Sequence, residues 1–320
     1  MKAELVDLLV CPACQVGFQL VVDSGSGDHI EAGHLDCPQC NRRVPIQGGV
    51  PRFVDSDKYV SSFSFQRNLV RKYWDRGFAA DPTTVSAFEL KTGVPAGELK
   101  GKTVLDVGCG YGRFLGVVSD AGGRIVGVDL STDSVELCQD KFGGRAGVDV
   151  IQADVLDLPF PKGADAAPVF DLIFSIGVLD HTPDCERSFK SLPPLLKDDG
   201  RISIWIYDDY DWIRNRFSDI YRKVTTRLPS RMLLGLCHWN QVWTPIRRIP
   251  RLGRLFNEFL PGCHTRAPWA IRVMSDFDWY SPTFQSKHTF PQVFRWFEEA
   301  GLEKIRIYDP PVSVTGCKGK

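Results

Sequence analysis

Neither sign of charge prevails in this chain of 320 residues: Lys plus Arg total 39 and so do Asp plus Glu, a formal net charge of zero. No global field therefore draws the molecule toward polyanions, and any such attraction must come from local patches. Long apolar runs are missing as well. No uncharged stretch reaches the ~18 residues that suggest a membrane span, and Met1-Lys2-Ala3-Glu4 lacks the basic start and apolar stretch of a secretory signal. The expectation is a cytoplasmic protein. With 43% hydrophobic and 24% charged residues the composition excludes a disordered or fibrous chain, and the length allows a full α/β domain plus smaller units.

Of the ten cysteines, four form two Cys-x-x-Cys pairs, Cys11/Cys14 and Cys37/Cys40, and the others are scattered. That is the pattern of a metal site in a reducing compartment rather than a disulfide framework. Four thiolates in tetrahedral array are the geometry of structural zinc. The interval between the pairs is slightly long for such a site, an excess that the turn rich in Gly, Ser and Asp at residues 24–28 absorbs. A closed Cys₄ site has no open coordination position, so the ion would fold the module and not catalyse. Redox use of the pairs is disfavoured without a thioredoxin-like context.

From residue 101 onward strand-like and helix-like stretches alternate: 103–107, 124–129, 148–152, 170–175 and 201–207 read as strands, with helices after 112, after 131 and over 186–196. Short, nearly continuous apolar strands between helices imply a parallel-type sheet covered on both faces. The pattern breaks at 208–289 and resumes with a helix over 291–300 and strands at 303–308 and 312–316. The expected organisation is thus a zinc ribbon at 1–56, N-terminal helices at 57–100 (with Phe63, Phe65, Leu69, Tyr73 and Trp74), a Rossmann-like core at 101–207, a helical cap insertion at 208–289, and the end of the core at 290–320.

The strongest motif is Val104-Leu-Asp106-Val-Gly108-Cys109-Gly110-Tyr-Gly112, a strand running into a glycine-rich turn and a helix. Glycines there let backbone amides and a helix start approach a ligand closely. A nicotinamide fingerprint would need glycine at 113, which is Arg113, so that reading fails at its last element. Asp129 ends the next strand about 20 residues on, where a carboxylate can accept from both ribose hydroxyls.

These residues resemble the first signature of the class I S-adenosylmethionine-dependent methyltransferases, of the type 11 kind. The resemblance implies a cofactor site built from Asp106, Gly108, Cys109, Gly110, Gly112, Asp129 and Leu130. It adds Asp154 and Val155 after the third strand, near the adenine, and Ser175 at the start of the segment lining the methionine end and the substrate. Lys197-Asp198-Asp199-Gly200 departs from the family's usual Lys-Pro-Gly-Gly turn. The text around the cysteines resembles the zinc ribbons that partner RNA and protein methyltransferases, here supplied in cis as a docking platform or a stabilising cap.

Between Ile213 and Arg254 there are ten Lys/Arg and one acid, Asp219. Ile213, Phe217, Ile220, Val224 and Leu228 recur at helical spacing among the basic residues, a basic amphipathic helix. Its apolar stripe is expected to pack inward over the active site, ahead of a membrane-surface role or RNA phosphate binding. Trp279 and Tyr280, with the segment 62–66, resemble elements of small-molecule methyltransferases and could wall a pocket or pack in a core. If the acceptor must lose a proton, His181 and His288 are the candidate bases, with Asp180 and Tyr280 behind them. The function these features imply is methyl transfer to oxygen or nitrogen of a small or lipid-linked metabolite, with peripheral membrane contact allowed. The alternatives are RNA methylation, or a non-catalytic cofactor-binding module.

Overall fold

The computed structural model describes residues 1–55, 60, 65, 82–162, 167–262, 267–308 and 312–319. Most of the expected helix bearing Phe63, Leu69, Tyr73 and Trp74 lies outside these residues.

Strands β1 (Gln19–Ser26), β2 (His29–Asp36), β3 (Arg43–Gln47) and β4 (Val50–Pro51) form an antiparallel sheet in that order. A second sheet contains β5 (Thr103–Val107), β6 (Arg124–Asp129), β7 (Val148–Gln152), β8 (Phe170–Ile176), β9 (Leu196–Ile206), β10 (Leu302–Ile307) and β11 (Val312–Lys318). Its spatial order is β10-β11-β9-β8-β5-β6-β7. Helices α1 (Pro82–Thr92), α2 (Leu115–Asp120), α3 (Thr132–Phe142) and α4 (Cys185–Lys190) accompany it. An insertion after β9 holds α5 (Trp212–Thr225), α6 (Ser230–Val242), α7 (Thr244–Arg247), α8 (Leu252–Phe259) and α9 (Trp269–Tyr280), and α10 (Phe290–Glu299) leads into β10.

The ladders among β5 to β9 are parallel, as their unbroken apolar sequences imply, but β11 runs antiparallel to both β9 and β10. Only residues 308–311 separate β10 from β11, too few for a parallel crossover. The expected helix over 186–196 stops early, at Lys190. Pro193 and Pro194 lack the N–H that an α-helix needs there, and the chain instead makes a short 3₁₀ turn, Pro193–Leu195. Strand β9 then begins at Leu196 and absorbs the Lys197–Gly200 turn as an irregularity in register, with Asp199 at φ 59°.

Alternation along the strands sorts the side chains onto two faces. Val104, Ile125, Val150 and Phe174 meet Phe88, Phe114, Leu115, Val135 and Phe142 on the face of α1 to α3. Leu105, Val107, Val126, Val128 and Ile151 face the other way, toward Phe189 of α4 and Val293 and Phe297 of α10. The described part of the connection from β7 to β8 contains only a 3₁₀ turn, Val155–Asp157, and no α-helix. The N-terminal ribbon lies in that place. Leu5, Leu9, Phe18, Leu35, Val44, Ile46 and Phe53 belong to one hydrophobic cluster with Val126, Ile151, Leu158 and Phe160. Polar ties follow the same seam: the Val10 amide donates to Pro159 O at 3.0 Å and the Phe53 amide to Gln152 O at 2.8 Å. Arg52 donates to Gln152 at 3.0 Å and Glu136 at 3.1 Å.

The insertion reverses the expectation for α5. Its buried residues are Asn215, Ser218 and Arg222, whereas Ile220 and Val224 are 48% and 61% exposed. The inward face is polar because each polar group finds a partner there. Arg222 donates to Trp279 O at 2.7 Å and Pro282 O at 2.6 Å. These carbonyls sit at the C-terminal end of α9, where a cation complements the unsatisfied helix carbonyls. Thr225 donates to Tyr280 O at 2.9 Å, and Ser218 accepts from the Trp279 indole at 2.5 Å. Deeper in, the fully buried Asp276 accepts from Asn240 at 2.7 Å and from Gln241, and Arg247 donates to Asn240 O at 2.7 Å.

Replacing Arg222 by Leu would strand two carbonyls. The expected loss is about 1.5–3 kcal/mol of insertion stability, read by denaturant unfolding followed on tryptophan fluorescence. An unchanged midpoint would refute the structural weight given to this contact.

Candidate functional site

Strand order reverses at β5, which pairs with β6 on one side and β8 on the other. The chain leaves β5 and β8 toward opposite sides, so a crevice opens at the C-terminal edge of the sheet between them. A cleft lies there. Val107, Gly108, Val128, Asp129, Leu130, Ala153 and Val155 line one part, and Gly177, Val178, His181 and Thr182 from the segment after β8 line the other, with Val60 from the N-terminal segment.

Gly108, Gly110 and Gly112 have φ of 81°, 56° and 78°, left-handed values that side-chain-bearing residues rarely adopt. The turn is pinned to β6: the amides of Gly108 and Cys109 donate to Val128 O at 2.7 and 2.9 Å. The Asp129 carboxylate accepts from the Gly110 amide at 2.9 Å and the Ser131 amide at 2.8 Å. Asp129 thus holds the turn as well as facing the cleft. Helix α2 begins only at Leu115, later than the glycines suggest, so backbone amides of the turn, not a helix end, approach the cleft. A Cβ on Gly108 would meet three Val178 carbons at 2.3–2.8 Å, which explains why the strand can run so close to the wall opposite.

Asp106 is 3% exposed, and its Oδ2 has no hydrogen-bond partner among the described residues. Burial first, and then the nearby Asp129 charge, push its carboxyl well above the ordinary carboxylate range. A buried acceptor of that kind calls for a donor or a cation from a ligand. Asp154 caps the 3₁₀ turn, accepting from the Leu156 amide at 3.0 Å, between the cleft residues Ala153 and Val155. Ser175 is fully buried and donates to Val107 O at 2.9 Å, tying β8 to β5 behind the cleft. The Cys109 sulfur likewise points into the core, 3.9 Å from Cys138 Sγ.

Among the candidate bases, His181 lines the cleft, 5% exposed, with Nδ1 3.0 Å from Phe284 O and Nε2 3.9 Å from Asp180. Asp180 lies behind it, fully buried, both carboxylate oxygens without a hydrogen-bond partner among the described residues, and burial raises its pKa. His288 stands apart: its Nε2 is 2.9 Å from Ser286 Oγ, its ring packs on Trp296 at 4.7 Å, and burial lowers its pKa. Tyr280 donates to Pro261 O at 3.0 Å inside the insertion core. The sequence reading missed Tyr207, at the end of β9, whose ring meets His181 at 5.4 Å and Trp279 at 4.9 Å. Its position past the carboxyl end of a central strand was the available signal.

The sulfurs of Cys11, Cys14, Cys37 and Cys40 lie within 4.8 Å of one another, and a tetrahedral zinc–thiolate site requires sulfurs roughly 3.8 Å apart. The two knuckles repeat one backbone pattern. Gln15 and Asn41 both have φ 56°, and their amides donate to Cys11 O and Cys37 O at 2.8 and 3.0 Å. Burial opposes ionisation of Cys37, but the amides of Cys40 and Gln39 outweigh it and bring the thiol down to about 7.

Residues 105–204 match the family described as methyltransferase domain. The chain carries a methyltransferase domain. Over 140 residues it is 31% identical to the tRNA (carboxymethyluridine(34)-5-O)-methyltransferase alkbh8 of Xenopus tropicalis, covering 42% of this chain and 20% of that one. It is 35% identical over 107 residues to the ubiquinone biosynthesis O-methyltransferase of Actinobacillus pleuropneumoniae, covering 33% and 45%. A solved magnesium protoporphyrin IX methyltransferase of Synechocystis PCC 6803 with bound SAH superposes with TM-score 0.46 at 15% identity, covering 82% of this chain and 98% of that one. The chain thus spans only 20% and 45% of the length of those two sequence relatives, and the family match runs from β5 into β9.

Substituting Gly108 by Ala would force both a left-handed φ and the Val178 clash. We expect a loss of about 1–3 kcal/mol, measured by thermal unfolding, with Val178→Ala restoring only the steric share. A neutral Gly108→Ala would contradict the close approach.

Proposed function

We propose that this chain transfers a methyl group from S-adenosylmethionine to an oxygen or nitrogen of a small or lipid-linked metabolite. The observation that carries the reading is Asp106, a buried carboxylate whose Oδ2 has no partner among the described residues, beside a left-handed glycine turn at the switch point of a methyltransferase domain. The residues fit the cofactor. Asp106 suits the ammonium of its methionine part, Asp129 its ribose hydroxyls, Leu130 and Val155 the faces of its adenine, and Asp154 the adenine amine. When bound, S-adenosylmethionine supplies a methyl group already activated by the sulfonium charge, so the protein's main task is to position the acceptor.

His181 orients and deprotonates that acceptor. With Nδ1–H donating to Phe284 O, the lone pair sits on Nε2. Nε2 takes the acceptor's proton, and the Asp180 carboxylate stabilises the resulting imidazolium. Tyr207 and Trp279 back this side of the site as an aromatic wall.

The raised pKa of Asp106 sets a sign for the pH dependence. The cofactor's cation favours the ionised carboxylate, and the free protein favours the protonated one at low pH. Affinity should therefore tighten as pH rises through the raised value, with proton release on binding. Calorimetry in buffers of different ionisation enthalpy checks this, and Asp106→Asn should flatten the profile and weaken binding by about 1.5–3 kcal/mol. His181→Ala should lower kcat far more than it raises the cofactor Kd. A product carrying the label, found by mass spectrometry after incubating a metabolite extract with labelled methyl donor, identifies the acceptor; label only in RNA would reject a metabolite.

We further infer that the four cysteines hold one structural zinc ion per chain and that the ribbon is a cover of the core rather than an independent unit. Its shared cluster with β6 and β7, and the Arg52–Gln152 contact next to Leu130, support this. Chelation should therefore lower the melting temperature of the whole chain and weaken cofactor binding. A ribbon that unfolds on chelation while cofactor affinity stays unchanged would reject the coupling, and metal analysis without zinc would reject the ion.

A further inference from the structure

Among the described residues, eleven of the nineteen large hydrophobic side chains left exposed lie between 212 and 259, within the insertion. They are not scattered. On α5 they are Trp212, Ile220 and Val224, on α6 Met232, Leu236, Trp239 and Val242, and on α8 Leu252, Leu255 and Phe259, with Ile249 between α7 and α8; apart from Trp212 and Ile249 each set recurs at three- and four-residue intervals along one helical face. Ring contacts join the faces: Phe217 meets Phe259 at 4.9 Å, Trp239 meets Trp243 at 5.7 Å, and Trp243 meets Phe256 at 6.0 Å. An exposed apolar surface this continuous marks an interaction site.

Charge selects the occupant. Arg216, Lys223, Arg227, Arg231, Arg248, Arg251 and Arg254 are exposed on the same helices and their connections. Against these seven cations the stretch holds two acids, Glu258 on α8 and Asp219, which is engaged by Lys287 at 2.5 Å. A second copy of the chain docking by the same face would bring two basic surfaces together. RNA would be met chiefly by aliphatic side chains, which offer it neither stacking nor hydrogen bonds. An anionic bilayer satisfies both halves of the surface, the apolar side chains in the acyl boundary and the basic groups among the phosphates. No helix among the described residues is long and apolar enough to cross a membrane, so the contact would be in the plane of the interface.

We propose that the insertion is a peripheral docking surface for an anionic lipid bilayer, with the exposed faces of α5, α6 and α8 lying on the membrane. The insertion leaves the C-terminal end of β9, the sheet edge at which the cleft opens, so docking holds the cleft near the bilayer surface. The docking does not rest on the proposed activity; the corollary that the methyl acceptor is lipid-linked does.

Flotation of the full chain with vesicles of phosphatidylcholine alone, or mixed with phosphatidylglycerol, tests this without any cofactor. The chain should float with the mixed vesicles, only weakly with the neutral ones, and less at high salt. Arg251→Glu with Arg254→Glu should weaken binding by roughly fivefold for each positive charge lost. Leu236→Glu with Leu255→Glu, at exposed positions, should abolish flotation while leaving the thermal midpoint unchanged. Equal binding to neutral vesicles, flotation unaffected by the two Glu substitutions, or no flotation of the native chain would each overturn the proposal. So would a dimer in sedimentation that Leu236→Glu/Leu255→Glu dissociates, or salt-steep binding of a structured RNA in the absence of vesicle binding.

Discussion

The position of β5 between β6 and β8 constrains everything around the cleft. A parallel strand paired on both sides leaves its carboxyl end as the one place where the covering segments part. The chain must turn there without filling the gap, which requires left-handed backbone at Gly108, Gly110 and Gly112. It also requires an external tie, and Asp129 supplies it by accepting from the Gly110 amide. Because Asp129 keeps further acceptor capacity on its carboxylate, the group that shapes the empty turn can also face a ligand. Asp106, one strand over, has no such partner for its Oδ2 among the described residues, so its ionised form carries a cost that protonation, or an incoming donor or cation, relieves.

The same sheet explains the ribbon. On the face toward α4 and α10 the connection from β7 to β8 offers Leu158 and Phe160 but no α-helix among its described residues, and Leu5, Leu9, Phe18 and Phe53 cover them. Gln152 receives Arg52 at one end of its amide and donates to Leu130 O at 2.9 Å with the other. A side chain of the ribbon is therefore two hydrogen bonds from a residue that lines the cleft.

The parts legible in the sequence are those where local chemistry has one solution. Glycine at 108, 110 and 112 after an apolar strand admits few turns, and paired Cys-x-x-Cys knuckles converge on one point. The orientation of α5 was not legible. Periodicity locates an apolar stripe but does not say which face turns inward, and the usual assumption fails where polar groups find partners inside. Here Arg222 meets the carbonyls ending α9, and Ser218 meets the Trp279 indole, both 57 or more residues away in sequence. Tyr207 was hidden for a related reason: at the end of β9 it reads as one more apolar strand residue, and only the return of the chain with Trp279 gives it a neighbour. His288 and Tyr280 suggested themselves by residue type, yet packing on Trp296 and a bond to Pro261 O account for them.

The insertion also reaches the cleft through a short run of backbone. Arg222 of α5 holds Pro282 O, and two residues on, Phe284 O meets His181 Nδ1; the Ser286 amide then donates to Asp180 O at 2.8 Å. The segment 282–286 is thus clamped by α5 on one side and by the His181 loop on the other. Phe284 O stands 3.0 Å from one ring nitrogen of His181, and the Asp180 carboxylate 3.9 Å from the other. A load applied to the outer face of α5 falls on the helix that positions the segment. The His181 ring is therefore tied, through the segment 282–286, to the helix whose apolar side faces outward.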